Sequence, residues 1–327
     1  MRLIIFTTCK PMIGEDKWRQ EQAIKSWIQL KDIEIKVIVF GNDKGVDELC
    51  EKYNLTHIPV VDNLAGVPRV KAMFETSASF AKPEDYMMWT NADIIFFQNL
   101  VDNIKRFDVD RKSKNIVNFA LVGARLDWNN PCILPQITKE HFFGNIKINK
   151  MIGNQRLTKT IVKSDKYECH PITDDAIDYI IHSPTTYKDK IHECLVIAGC
   201  YHDSILMWLA TQSNYLTLNM SQTINAIHQN HGITEQSRNR EKNTLQVNNG
   251  NYLGWLSNEI KKQKLYYDPV VGSCCSSALN FSYLDKSQNI QFGKNSNIPK
   301  MLRTRMMNRD NFSKTDLSWA NNYKSRS

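Results

Sequence analysis

The 327-residue sequence lacks the segments that would place it in a membrane or on the secretory route. No apolar run is long enough to span a bilayer, and the apolar stretch from Met1 to Phe6 is too short for the core of a secretory signal. The eight cysteines are scattered without the paired spacing of a zinc site, so we expect them to be mostly reduced. These absences predict a cytoplasmic protein without a transmembrane segment and leave peripheral membrane contact open.

Two common phosphate-binding loops are also absent. The turn after the first predicted strand contains neither the GxGxxG motif of dinucleotide-binding folds nor the GxxxxGK[ST] motif of P-loop enzymes. The usual dinucleotide and P-loop cradles are therefore excluded.

The composition is that of a globular protein with an uneven charge distribution. Hydrophobic residues make up 42% and aromatic residues 10% of the chain, and the net charge is +8. From Lys286 to Ser327 there are nine Lys or Arg and two Asp, so this tail carries an excess of +7. The charge suits an anionic ligand or surface without identifying one. We expect a polar, flexible tail and do not expect it to bind nucleic acid.

Short apolar runs alternate with segments of helical periodicity. Strands are predicted at Leu3–Phe6, Glu34–Phe40, within Val60–Ala65, at Tyr86–Phe97 and at Asn115–Val122, and Asp16–Leu30 has the apolar spacing of a helix. This order indicates a mainly parallel sheet with crossover helices. Ligands of such sheets bind beyond the carboxyl ends of the strands.

The polar interruption Thr90-Asn91-Ala92-Asp93 divides the apolar run from Tyr86 to Phe97. A buried carboxylate is costly unless it is paired or bound to a cation, so we expect Asp93 at the opening of a site. On an extended chain Asn91 and Asp93 point to the same side and present oxygen ligands suited to Mg²⁺ or Mn²⁺. The alternative is a simple turn at the end of a strand, which Asn and Asp also favour.

Other polar residues follow predicted strands or begin predicted helices. Thr7 to Lys10 and Asn42-Asp43 belong to the same sheet edge as Asp93, although Asn42 and Asp43 also suit a plain turn. Arg69 begins a helix, where a cation is mildly disfavoured, so either it meets an anion or it is solvated.

Asp203 and two histidines, His228 and His231, come later in the chain. Asp203 precedes an apolar, buried helix, where it is either the N-cap or a carboxylate aimed into the cleft. The two histidines follow a buried segment and are either structural or part of a metal or phosphate site.

Taken in order, fragments of the sequence resemble the glycosyltransferases with a GT-A fold, particularly a family-2-like branch, over roughly residues 1 to 235. The matching fragments are Thr8 to Pro11 with Ala23 to Trp27, Val37 to Asn42, Gly66 to Pro68, Thr90 to Ile95, Val122 to Asp127, Tyr201 to Met207 and Ile227 to His231. The ordered series is more specific than any single fragment.

The resemblance implies a hexosyl or deoxyhexosyl transferase. It would move a sugar from a nucleotide-diphosphate donor, with a UDP-sugar favoured, to a hydroxyl of a glycan or another acceptor, using Mn²⁺ or Mg²⁺. Asn91-Ala92-Asp93 resembles the DxD motif with Asn at the first position, which leaves Asp93 as the main metal ligand. His228, or alternatively His231, resembles the later metal or diphosphate contact, and Asp203 the acidic residue on the acceptor side.

Further donor contacts are implied by the resemblance at Thr7, Thr8, Lys10, Asn42, Asp43, Arg69, Ala92 and Arg125. The fold class that we expect is α/β, a mixed and mainly parallel central sheet flanked by helices. The expected domains are a GT-A domain at 1–245, with an insertion or lid at 131–170, and a basic C-terminal extension at 246–327 that is partly helical and then flexible. The alternatives are a sugar nucleotidyltransferase and a non-catalytic nucleotide- or glycan-binding protein.

Overall fold

The computed structural model describes ten stretches of the chain. They are residues 1–64, 66–128, 159–160, 168–171, 177–197, 202–212, 215–220, 223–229, 279–284 and 290–293. Within these stretches no helix is both long enough and apolar enough to cross a membrane.

A nine-stranded sheet forms the centre of the fold. Its strands are β1 (Arg2–Thr8), β2 (Glu34–Phe40), β3 (Thr56–Ile58), β6 (Tyr86–Thr90), β8 (Phe119–Ala124), β12 (Ile177–His182), β13 (Leu216–Asn219), β15 (Leu279–Leu284) and β16 (Ile290–Gly293). Their order across the sheet is β16-β15-β13-β8-β12-β6-β1-β2-β3. Every neighbouring pair is parallel except those of β12 with β6 and β8, and that of β15 with β16. The predicted fold class, a mixed and mainly parallel sheet with flanking helices, is confirmed.

Helices cover both faces of this sheet. They are α1 (Gly14–Ile28), α2 (Val46–Tyr53), α3 (Val70–Ala78), α4 (Asn99–Ser113) and α5 (His202–Gln212). Alternate residues of β1 serve different cores, since Leu3 and Ile5 pack with α1, α2 and α4, whereas Ile4 and Phe6 pack with α3 and α5. Both faces of the strand are buried, which explains its uninterrupted apolar sequence.

A second sheet lies beside the first. It contains β7 (Ile94–Phe96), β9 (Leu126–Trp128), β10 (Lys159–Thr160), β11 (Glu168–Pro171) and β14 (Ala226–Gln229), in the order β10-β11-β9-β14-β7. A separate hairpin pairs β4 (Asn63–Leu64) with β5 (Val67–Pro68). The apolar run that we read as one strand is therefore two strands, β6 and β7, in different sheets.

Three regions with local predictions contain short strands. The strand predicted within Val60–Ala65 is β4, in the hairpin, while the third strand of the main sheet comes earlier, at Thr56–Ile58. At the predicted insertion, Lys159–Thr160 and Glu168–Pro171 form strands of the second sheet. In the predicted C-terminal extension, β15 and β16 add to the main sheet beside β13. The insertion and the partly helical, flexible character of the extension stay predictions. The boundary at residue 245 stays a prediction.

His182, at the end of β12, makes stability depend on pH. Its ring is 1% exposed and stacks on Phe74 with centroids 5.2 Å apart, while Nδ1 contacts the Ser183 carbonyl oxygen at 2.9 Å. Burial lowers the pKa of His182 from 6.5 to about 4, because the charged ring would lose its hydration. Between pH 6.5 and about 4, His182 is protonated in the unfolded chain but neutral in the folded chain. The free energy of unfolding therefore falls as the pH drops through this range.

We expect His182→Phe to reduce this acid sensitivity. At about 1.4 kcal/mol per pKa unit, wild type loses at most about 3 kcal/mol through His182 between neutral pH and about pH 4. The variant keeps an aromatic ring beside Phe74 and should lack that part of the loss. Urea unfolding at several pH values measures it, with His57→Gln in β3 as the control. Parallel pH profiles for wild type and His182→Phe would contradict the assignment.

Candidate active site

Polar residues meet where β1, β2 and β6 end. These strands are parallel and adjacent, and Thr8 of β1 lies opposite Phe40, the last residue of β2. The loops that leave this edge begin at Cys9, Gly41 and Asn91. Asp43 and Asp93, from two of these loops, both act electrostatically on the buried Cys9 thiol. The common edge that the strand-helix alternation predicts is thus present.

Asn91-Ala92-Asp93 forms the turn through which the chain passes from the first sheet to the second. The Ile94 amide donates to the Asn91 carbonyl across a distance of 3.4 Å, which closes the turn. The extended conformation that we expected is wrong, and the alternative of a strand-end turn is right for the backbone. Because of the turn, the side chains of Asn91 and Asp93 contact different partners. Ala92 is buried, 6% exposed.

Asp93 lies beside His228. β14 runs antiparallel to β7 with His228 opposite Ile94, which brings the imidazole to the residue after Asp93. His228 Nε2 is 3.7 Å from Asp93 Oδ2, and the side chains are 8% and 14% exposed, respectively. Two side chains that are 135 positions apart in the sequence thus form one small, nearly buried cluster. His231 lies outside the described residues.

The structure adds a residue that sequence analysis missed, Asp178. It sits at an irregularity of β12, between Ile177 and Tyr179, where the register with β8 shifts. Its carboxylate accepts a hydrogen bond from Asn91 Nδ2 and a charged one, 2.7 Å long, from Arg125. Its carbonyl oxygen accepts bonds from the Thr90 hydroxyl at 2.8 Å and the Asn91 amide at 3.2 Å. Irregularities of this kind redirect side chains and are common beside active sites.

Burial raises the pKa of the Asp178 carboxyl above its ordinary value. Arg125 and His228 oppose the shift and Asp93 adds to it, so these four side chains share one electrostatic environment. The Asp93 and Asp178 carboxyl groups thus lie beside the Arg125 guanidinium and the His228 imidazole. Carboxylate and imidazole groups are both common ligands of divalent cations.

The Tyr179 side chain, next to Asp178, approaches the backbone of Gly123 so closely that this position requires glycine. A Cβ atom at Gly123 of β8 would lie 1.8 Å from the Tyr179 hydroxyl oxygen, far inside contact distance. Any side chain at position 123 would therefore displace the ring of Tyr179, the residue after Asp178. The resemblance includes this glycine between Val122 and Arg125, but only the structure shows what it accommodates.

The predicted nucleoside contacts differ in accessibility. Thr7 is fully buried, with its hydroxyl 3.3 Å from the Thr8 carbonyl oxygen, so its side chain is not open to a ligand. Thr8, Lys10 and Asp43 are partly exposed and Asn42 is exposed. Accessible polar groups at this edge therefore come from Thr8, Lys10, Asn42 and Asp43.

Arg69, the predicted partner of an anion, meets one within the chain. Its Nε lies 3.3 Å from Asp62 Oδ2, and its Nη1 donates to the Glu193 carbonyl oxygen at 2.6 Å. The neighbouring amide of Val70 donates to the Leu195 carbonyl oxygen, which joins the start of α3 to the segment before α5. In this conformation Arg69 supports that junction.

Asp203 lies in the first turn of α5, and its two predicted roles, N-cap or carboxylate aimed into the cleft, stay predictions. The His202 ring packs edge-on against Trp89 with centroids 5.1 Å apart. Trp89 directly precedes Thr90, the last residue of β6. The first turn of α5 therefore lies near the strand end that leads to Asp93, on the face of the sheet opposite α1.

The side chains around Asp93 suit a divalent cation whose coordination is completed by a bound substrate. Within the described stretches, no group of three or more His, Cys, Asp or Glu side chains is arranged to enclose a metal ion. Asp93 and His228 are two adjacent candidate ligands, and the Asn91 amide oxygen is a third because its nitrogen makes the bond to Asp178. Mg²⁺ is commonly held by one or two carboxylates, with substrate phosphates and water completing its shell.

Substituting Arg125 or Asp178 breaks the same ion pair, but the two substitutions should lower the free energy of unfolding by different amounts. Arg125 is 24% exposed and can be solvated, whereas Asp178 is 4% exposed and cannot. We expect Arg125→Met to destabilise the fold by about 3–5 kcal/mol, because it leaves a buried carboxylate uncompensated. Asp178→Asn should cost less, about 1–3 kcal/mol, since its single amide oxygen can accept from only one of Asn91 and Arg125, while Arg125 can be solvated. Urea unfolding of both variants tests this, and equal losses would contradict it.

The double variant serves as the control. If Arg125→Met is costly only because Asp178 remains charged, then adding Asp178→Asn should restore most of the lost stability. Simple addition of the two single losses would assign the effect of Arg125 to its packing instead.

Comparison with known proteins finds similar folds at low identity. No protein-family model matches the chain, and no curated protein matches it. Residues 1–349 of TarS from S. aureus, solved in complex with UDP-GlcNAc, are 11% identical with a TM-score of 0.46, covering 81% of this chain and 73% of that one. The structure described as S. aureus TarS is 12% identical with a TM-score of 0.45, over 84% of this chain and 51% of its own length.

Another similar structure is the inositol-1-phosphate CTP transferase from T. maritima. It is 13% identical with a TM-score of 0.37, covering 76% of this chain and 96% of that one. The chain spans about half the length of the longer of the two TarS structures, the one that it covers to 51%. Similarities at this level assign neither activity nor substrate to the chain.

Proposed function

We propose that this protein is a glycosyltransferase that moves a sugar from a nucleotide-diphosphate donor, with a UDP-sugar favoured, to an acceptor hydroxyl. The observation that carries the proposal is the pairing of Asp93 with His228 at the carboxyl edge of the parallel strands. It joins two fragments of the ordered resemblance to the GT-A enzymes, although they are far apart in the sequence. Asp203, from a third fragment, lies in the first turn of α5 and follows His202, whose ring contacts Trp89 near the end of β6.

The residues divide into three roles. Asp93 and His228, with the Asn91 oxygen, would hold Mn²⁺ or Mg²⁺ together with the donor diphosphate. A divalent cation supplies charge stabilisation for a diphosphate leaving group. Thr8, Asn42 and Asp43 would contact the nucleoside.

Asp203 would accept the proton of the attacking hydroxyl, because a carboxylate within hydrogen-bond reach is a competent general base. A single displacement of this kind inverts the anomeric carbon. The acceptor attacks from the side opposite the diphosphate, and the proton passes to the Asp203 carboxylate as the bond to the diphosphate breaks.

A product assay with the purified protein tests the proposal. The chain is incubated with a panel of nucleotide sugars and Mn²⁺, and the released nucleotide is identified. We expect nucleoside diphosphate from at least one donor. Release of pyrophosphate from a nucleoside triphosphate would instead show a nucleotidyltransferase, which attacks phosphorus rather than the anomeric carbon.

A non-catalytic nucleotide- or glycan-binding protein is the second candidate. It is favoured by the single aspartate of the Asn91-Ala92-Asp93 turn and, in the part of the chain that the structure describes, by the lack of a group of three acidic, imidazole or thiol ligands. A donor screen by thermal unfolding separates the two, because a bound donor stabilises only the folded state. Stabilisation by a donor that is neither hydrolysed nor transferred would identify a binding protein.

A further inference from the structure

Gln20, in α1, holds the loop that follows β1. Its side chain is 3% exposed, and its amide oxygen accepts the Lys10 N–H at 2.6 Å while its amide nitrogen donates to the Lys10 carbonyl oxygen at 3.1 Å. The same nitrogen lies 3.3 Å from the Met12 sulfur. One side chain thus satisfies both backbone groups of Lys10, as a neighbouring strand would.

The loop held by Gln20 also holds the loop that follows β2. The Met12 amide donates to the Lys44 carbonyl oxygen at 2.8 Å. Gly45, at φ 78°, lets the two segments pack closely, because a Cβ there would lie 3.0 Å from the Met12 Cβ. The loops that contain Lys10 and Asp43 are therefore one unit, fixed to α1 through Gln20.

Gln229, in β14, makes the equivalent connection for the Asp93 turn. Its side chain is 1% exposed, and its amide nitrogen donates to the carbonyl oxygens of Arg19 at 2.8 Å and of Asp93 at 3.2 Å. Arg19 and Gln20 are consecutive residues of α1. Gln229 therefore connects α1 at Arg19 to the Asp93 turn, and Gln20, the next residue of α1, connects the helix to the Lys10 loop.

We propose that Gln20 and Gln229 are positioning residues that set the spacing between the nucleoside side and the diphosphate side of the donor site. This inference rests on the proposed function. Backbone groups at the open edge of a sheet can be satisfied by water, which imposes no fixed position. The buried amides of Gln20, in α1, and of Gln229, bonded to α1, instead fix the Lys10 loop and the Asp93 turn before the ligand binds. This lowers the entropy cost of ordering these loops on binding.

Single methionine substitutions separate the two connections. Methionine matches glutamine in length and lack of branching but cannot make these hydrogen bonds. Calorimetric titration of the full chain uses two probes, UMP and UDP with Mn²⁺. We expect Gln20→Met to weaken both probes about tenfold, whereas Gln229→Met should leave UMP unchanged and weaken UDP with Mn²⁺ about tenfold. Gln22→Met, on the same helix, is the control and should bind as wild type does.

Hydrogen exchange provides a second measurement that is independent of the nucleotide. The Lys10 amide should lose its protection in Gln20→Met and keep it in Gln229→Met. If that protection changes as expected but neither variant affects either probe, the inference is wrong. Equal losses for both probes in Gln229→Met would also overturn it, because they indicate general loosening. If wild type binds neither probe, the uridine donor of the proposed function is wrong, and the inference fails with it for these probes.

Discussion

Asp93→Asn is expected to remove metal-dependent donor binding and nearly all transfer activity. Asp93 is the only carboxylate of the turn between β6 and β7, and it lies 3.7 Å from His228. Asparagine keeps the size and the turn preference of aspartate but loses the negative charge that a hard cation requires. Loss of one preorganised electrostatic contact typically lowers kcat by about 10²–10³-fold, and we expect at least that here.

Thermal unfolding with and without UDP and Mn²⁺ distinguishes this effect from misfolding. Wild type should be stabilised more by UDP with Mn²⁺ than by UDP alone, while Asp93→Asn with UDP should unfold at the same temperature whether or not Mn²⁺ is added. Asp102→Asn, which removes an exposed carboxylate in α4, is the control. If Asp93→Asn retains both the stabilisation and wild-type turnover, Asp93 does not bind the cation.

The sequence predicts the main sheet well because its strands are buried on both faces. Leu3 to Phe6 and Val37 to Phe40 are continuous apolar runs, and every residue of both is buried in the structure. Such runs mark strands even without an alternating pattern, and the helices between them make the connections parallel. Trp27 occupies an apolar position in the helical spacing of Asp16–Leu30, which indicates a core residue. It is fully buried, and its ring nitrogen donates to the Ile94 carbonyl oxygen at 2.8 Å.

The division of the run from Tyr86 to Phe97 between two sheets could not be predicted. Its two halves are equally apolar, and the pairing of β7 with β14 depends on a strand 130 residues later. Local pattern reports which segments are extended and buried but not which sheet they join. The turn at Asn91 is one of the two alternatives that the sequence supports, because Asn and Asp favour turns whether or not they bind a ligand.

Asp178 was missed for a related reason. In the sequence it opens an apolar strand and resembles any polar residue at a strand boundary. Its importance comes from the irregularity in β12 and from Arg125 and Asn91, which are more than fifty and eighty positions away, respectively. No local signal encodes that convergence. The nearest hint is Gly123, whose missing side chain makes room for Tyr179.

Asp203→Asn is the second substitution with a large expected effect, and its pattern should differ from that of Asp93→Asn. Asp203 lies in the first turn of α5, whereas Asp93 and His228 belong to the turn and strand of the second sheet. A general base acts on the acceptor hydroxyl and not on the donor. We therefore expect kcat to fall by about 10²–10⁴-fold while the dissociation constant of UDP with Mn²⁺ stays at the wild-type value.

Asparagine at position 203 keeps a polar side chain in the first turn of α5, so the helix should still form and the Trp89–His202 contact should persist. Turnover of a donor that the panel assay identifies gives kcat, and calorimetric titration gives the dissociation constant. Glu75→Gln, in α3, removes an exposed carboxylate elsewhere and is the control. Wild-type turnover in Asp203→Asn would end the assignment of Asp203 as the base. A fall in donor affinity equal to the fall in activity would place Asp203 on the donor side.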